Sequence, residues 1–139
     1  MSLEIINPPL LGAPRGYSNG MLAPPGARML FVAGQVAWNE SQNIVSEDFA
    51  LQFGQALENV LTVVRAAGGS AVDIARLLIF VTTRDEYAEH HKRVGQEYRN
   101  RMGKHFPAMA LVEVNALLEP GAKVEIEAIA MISAKDGRS

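Results

Sequence analysis

The chain has 139 residues, no cysteine and a formal net charge of −2, with 48% hydrophobic residues. That size suits one domain over residues 1–139 with a core that needs no metal or disulfide staple. Disulfides, thiol nucleophiles and thiolate-held metals are excluded, as is a strong global pull toward nucleic acid or anionic membrane.

The first 27 residues are rich in glycine and proline, among them Pro8-Pro9, Gly16 and Pro24-Pro25-Gly26. They predict short extended pieces between turns, with 17–22 the best strand. Residues 28–36 read as a buried strand, and Gly34 near its end marks a bulge or a close backbone approach. Residues 38–45 are polar and turn-like. A helix is expected after Ser46 as N-cap, with Glu47 and Asp48 in the first turn. Its apolar stripe is Phe49, Phe53, Ala56, Leu57, Val60, Leu61 and Val64, and Gly68-Gly69 stops it. Residues 74–81 form a near-continuous apolar run suited to a central strand covered on both faces.

Thr83 and Glu86 have capping-box spacing for a second helix, which Gly103 closes. Its stripe of Tyr87, His91, Val94, Tyr98 and Met102 makes His91 a packed histidine and turns His90 to solvent. Glu89–Arg93 and Glu97–Arg101 are spaced for ion pairs. The basic residues of this helix, Arg99 among them, are interleaved with glutamates and read as a solvated face. Two strands follow, 106–114 and 123–130. The order strands, helix, strand, helix, two strands predicts an α+β two-layer domain with a mixed sheet and both helices on one face.

Alternation along the last two strands sets Met109, Leu111 and Glu113 on one face of the first. In the second, Glu125 and Glu127 share a face with Ile129 and Met131. The helices cover one side of the sheet, so Met109, Leu111, Glu125, Ile129 and Met131 are expected together on the open side. An apolar patch of that extent marks an association surface, with carboxylates at or beside subunit contacts.

Four segments, in order, resemble the RidA (YjgF / L-PSP) family. They are Gly16-Tyr17-Ser18, Phe31-Val32-Ala33-Gly34-Gln35, the helix carrying Gln55-Ala56-Leu57-Glu58-Asn59-Val60, and a C-terminal signature. That signature joins Phe106-Pro107-Ala108 and Val112-Glu113-Val114 to the run from Val124 to Ala130. The resemblance implies a chorismate-mutase-like fold and a homotrimer with small-molecule clefts between subunits. It also implies cofactor-free, metal-free hydrolysis of reactive imines and enamines to a 2-keto acid and ammonia. The family's water-positioning glutamate falls on Glu125, while its carboxylate-clamping arginine falls on Met109. The serine before the glycine is Ala33, and a frequent cysteine position is Leu111.

The expected site is therefore Glu125 as catalytic group, with Tyr17, Ala33, Gly34, Met109 and Leu111 contacting the substrate. A thioether donates no hydrogen bond, and a carboxylate between Met109 and Glu125 would lack a counter-ion. The expectation is a poor deaminase for 2-aminoacrylate-type substrates and a neutral, apolar or cationic ligand. Arg15 is a further cation whose direction the sequence leaves open. A non-catalytic metabolite-binding or regulatory trimer is the alternative, and an endoribonuclease or translation inhibitor a more distant one. The three histidines have no paired ligand spacing, so no metal site is expected. With no secretory pattern at the N-terminus and no membrane-length apolar run, the chain reads as cytoplasmic, without nucleic-acid or membrane partners.

Overall fold

The computed structural model describes residues 2–134. Residue 1 and residues 135–139, which the one-domain expectation includes, lie outside the described residues. Two short strands, β1 (Glu4–Ile6) and β2 (Gly20–Leu22), pair antiparallel apart from the main sheet. The strand expected over 17–22 forms only at its end. Before it, the Ser18 amide donates to Pro107 O at 3.1 Å and its hydroxyl to Phe106 O at 2.6 Å.

The main sheet contains β3 (Arg28–Gln35), β4 (Ile74–Val81), β5 (Ala108–Glu113) and β6 (Val124–Ile132), in the order β3-β6-β4-β5. Only the β4–β5 pair is parallel. Parallel neighbours need a crossover, and here it is helical. Helix α1 (Phe49–Ala66) enters before β4, and α2 (Arg84–Glu89) with α3 (His91–Met102) makes the crossover. All lie on one face, giving the expected α+β two-layer fold.

The α1 stripe is buried from Phe49 to Val64 against β3 and β6. Its N-cap is Asp48 rather than Ser46: the Asp48 carboxylate accepts from the Leu51 amide at 2.9 Å, and Ser46 Oγ accepts from Asp48 N. The same carboxylate holds Arg93 of α3 at 2.8 Å, which takes that arginine from its expected partner Glu89. Glu97–Arg101 forms as expected, and Arg101 also reaches Glu58 of α1. Gly54 lets the helices close in, because a Cβ there would run into the Glu97 carboxylate.

Fully buried Gln52 ties the start of α1 to the loop before β6. Its amide donates to Ser46 O at 2.8 Å and Gly121 O at 2.9 Å, and its oxygen accepts from Lys123 N at 2.8 Å. Thr83 caps α2 by accepting from Glu86 N, but the expected single helix is divided at His90. There His91 Nδ1 lies 3.0 Å from Ala88 O, a carbonyl that an unbroken helix would give to the amide of residue 92.

Register decides which residues share a face, and it corrects the sequence reading. In the parallel pair, Met109 sits opposite Leu77 and Leu111 opposite Ile79. Leu77 and Ile79 are buried under the helices, so Met109 and Leu111 point to the helix side. Across β4–β6, Glu125 sits opposite Phe80 and Glu127 opposite Leu78, and both carboxylates point to the open side. Met109 and Glu125 therefore belong to opposite faces of one sheet. The open face carries Phe31 at 71% and Met29 at 53% exposure. Strand β4 is accordingly covered on its helix face alone, not on both.

Candidate functional site

Between the edge of the sheet and α3 lies a pocket of about 360 Å³. Its floor is Phe53, Ile79, Val94, Met109 and Leu111, all core-facing positions of α1, β4, α3 and β5. Its walls are aromatic: Tyr17, Tyr87, Tyr98 and Phe106. The Ser18 bonds to the 106–107 backbone hold the adjacent Tyr17 against the start of β5. Tyr98 and Phe106 stack 5.4 Å apart at 6°, and Tyr98 donates its hydroxyl to His105 O at 2.6 Å. Burial pushes both the Tyr87 and Tyr98 phenols up from their ordinary value, so both stay protonated at neutral pH.

The charged members are Arg15 and Arg99, with His91 beside them; no lining residue is acidic. Both arginines are exposed, and neither forms an ion pair or a side-chain hydrogen bond among the described residues. Arg65, Arg93 and Arg101 are all paired.

Glu125 stands on the other side of the sheet. The β3–β6 register shifts between Val32 and Gln35, so the bulge expected at Gly34 is present. The Glu125 side chain lies directly over that bulge: a Cβ at Gly34 would sit 2.7 Å from its Cδ and 2.8 Å from Oε2. Glycine here thus also serves the close approach. Half-buried Glu125 has no hydrogen-bond or ion-pair partner among the described residues. Other glutamates are engaged: Glu113 Oε1 accepts from Arg84 N at 2.7 Å, and Glu86 binds Lys123. Ala33 is exposed, and its carbonyl accepts from Gln35 Nε2.

The expected site residues therefore form two groups within one chain. Tyr17, Met109 and Leu111 line the pocket; Ala33, Gly34 and Glu125 gather at the bulge on β3 and its neighbour β6. The reason for expecting a neutral or cationic ligand, Glu125 beside Met109, does not hold inside the chain. His91 and His90 exchange their expected roles. His91 is exposed at the pocket, whereas His90 stacks on Phe49 at 6.4 Å. Arg99 and the Tyr87–Tyr98 walls were missed. The available signal was the row Tyr87, His91, Gly95, Arg99, four residues apart along one helical face. No group of three His, Asp or Glu able to hold a metal occurs among the described residues, and no described helix is long and apolar enough to cross a membrane.

The family model for endoribonuclease L-PSP matches residues 11–132. A 2-iminobutanoate/2-iminopropanoate deaminase from Salmonella typhimurium is 37% identical over 106 residues, 74% of this chain and 79% of that protein. The crystal structure of the Rid-family protein YyfB from Yersinia pestis superposes with a TM-score of 0.80 at 32% identity, covering 95% of this chain and 100% of that one. Escherichia coli TdcF with bound serine superposes with a TM-score of 0.66 at 30% identity, over 96% and 99%.

Proposed function

This chain belongs to the endoribonuclease L-PSP family of Rid proteins, and from that membership we propose that it is a cofactor-free hydrolase of imines or enamines. It works as a cytoplasmic homotrimer whose clefts lie between subunits. The observation that carries the reading is the Glu125 carboxylate, packed over the Gly34 bulge and without a partner among the described residues. A carboxylate without a structural partner is available to hold water. Glu125 takes a proton as the water oxygen attacks the imine carbon and passes it to the nitrogen, then relays the hydroxyl proton of the resulting carbinolamine to the same nitrogen; the C–N bond breaks, releasing ammonia and a carbonyl compound. The two groups of site residues face opposite sides of one sheet, and the open side exposes Phe31 and Met29. A second copy bringing its pocket to this copy's Glu125 would complete a site that one chain leaves divided.

Met109 supplies no fork for a carboxylate inside the pocket, so imino acids too small to fill the apolar floor have no anchor there and are poor substrates. Each charge-assisted hydrogen bond contributes about 1.5–3 kcal/mol. The test is ammonia release from 2-iminopropionate generated in situ. Wild type is expected to be slow, Met109→Arg faster by about tenfold or more, and Glu125→Gln inactive. Efficient wild-type turnover would remove the argument from Met109, and undiminished Glu125→Gln turnover would remove the role of Glu125.

One observation favours the second reading, a metabolite-binding trimer without catalysis. The pocket is lined mainly by aromatic and apolar side chains, and none of its lining residues is a carboxylate. Saturable ligand binding with no turnover of any imine would select it. RNA cleavage, the activity in the family's description, ranks third for a chain of net charge −2.

A further inference from the structure

We propose that the pocket beside Met109 takes a carboxylate with a bulky aromatic or branched apolar body, its anion held at the mouth by Arg15 and Arg99. This deepens the reading above and rests on its assignment of that pocket to the substrate. Three observations on this chain converge.

The first is charge. Two guanidinium groups and no carboxylate line the cavity, and both arginines lack partners among the described residues. A guanidinium presents five donors in a planar fork that matches a carboxylate, so an unpaired pair at one mouth is a ready anion clamp.

The second is the path of Arg99. Its Nη1 would lie 3.1 Å from a Cβ built at Gly95, so the guanidinium folds back along α3 over a bare Cα. An alanine there would ask the guanidinium to give by a few tenths of an ångström. Gly95 costs the helix propensity and leaves the exposed arginine room to lie back along α3 at the pocket.

The third is size and shape. A cavity of about 360 Å³ falls in the range of pockets that take drug-sized ligands, about 300–1,000 Å³, and is more than a three-carbon imino acid needs. The stacked Tyr98–Phe106 slab and the Met109–Leu111 floor offer a slot for a flat or branched hydrocarbon group. With the body inside and the carboxylate at the mouth, the adjoining imine carbon of a 2-imino acid stays at the mouth as well. Water and a second copy can reach it there.

Calorimetric titration of the whole protein with 3-phenylpropionate, 3-phenylpropanamide and propionate separates the contributions. The phenyl carboxylate is expected to bind about tenfold more tightly than either the neutral amide or the small acid. Arg15→Gln and Arg99→Gln should each weaken the phenyl carboxylate by about tenfold and leave the amide within about twofold. Equal affinity for acid and amide, or arginine variants that bind the acid like wild type, would overturn the proposal. Turnover of the phenylpyruvate imine distinguishes this inference from its premise. Binding that needs the arginines, without hydrolysis, keeps the anion site and ends the hydrolase reading. Hydrolysis undiminished in the Arg15→Gln/Arg99→Gln double variant does the reverse.

Discussion

Replacing Gly34 by alanine moves one catalytic candidate without touching its chemistry. Gly34 does not have a positive φ, so alanine meets no backbone strain there. What it meets is Glu125: the new Cβ would lie 2.7 Å from Cδ and 2.8 Å from Oε2. Non-bonded carbons rest at about 3.5–4.0 Å, so the carboxyl group must shift by about 1 Å. It is the end of a flexible side chain on the open face, so the shift should cost under about 1 kcal/mol of stability and a few degrees at most in Tm. A displacement of about 1 Å at a catalytic group costs on the order of 10²-fold in rate. The expected result is therefore kcat for imine hydrolysis reduced 10²-fold, by order of magnitude, beside a nearly unchanged thermal transition. Ammonia release and differential scanning calorimetry on the same preparations read both quantities. An unchanged rate would refute the water-positioning role. A Tm loss beyond about 10 °C would refute the premise that Glu125 is free to yield.

Gln52→Leu leaves Ser46 O, Gly121 O and Lys123 N without their partners. Ser46 and Lys123 are half-buried and Gly121 is exposed, so water replaces part of what is lost. At about 1–3 kcal/mol for an unsatisfied buried group, urea unfolding should show a loss of about 1–3 kcal/mol. Arg93 and the Leu51 amide hold the Asp48 carboxyl at about 2, below its ordinary 3.8. A depressed folded pKa gives stability that is present above the unfolded value and lost as pH falls through the folded one. Melting curves should thus show wild type losing its advantage over Asp48→Asn between about pH 4 and pH 2; an advantage unchanged across that window would refute the pairing. The pair is largely solvent-exposed and contributes under about 1 kcal/mol by itself. Phe31→Glu should give monomers by light scattering if the open sheet face joins subunits, and a trimer that persists in that variant would place the contact elsewhere.

Element types and their order were legible in the sequence because they depend on neighbours along the chain. The period of the α1 stripe, the apolar run of β4, the Thr83 cap and the Gly34 bulge are local patterns, and the folded protein keeps each one. The four segments resembling the family, taken together in order, were likewise sufficient to identify it. Alternation also sorted the residues of each strand correctly into two sets. Which set faces the helices depends on how strands pair, and no single strand contains that information. Parallel pairing with β4 turned Met109 and Leu111 inward, while antiparallel pairing, with its irregularities at 32–35 and 74–76, turned Glu125 outward. A shift of one residue exchanges the faces of a strand, so a register known only in three dimensions separated two residues that the sequence had placed together. The same holds for charge: Asp48 took Arg93 from across the helix pair, and only the packed structure revealed Arg15 and Arg99 at one pocket without partners among the described residues.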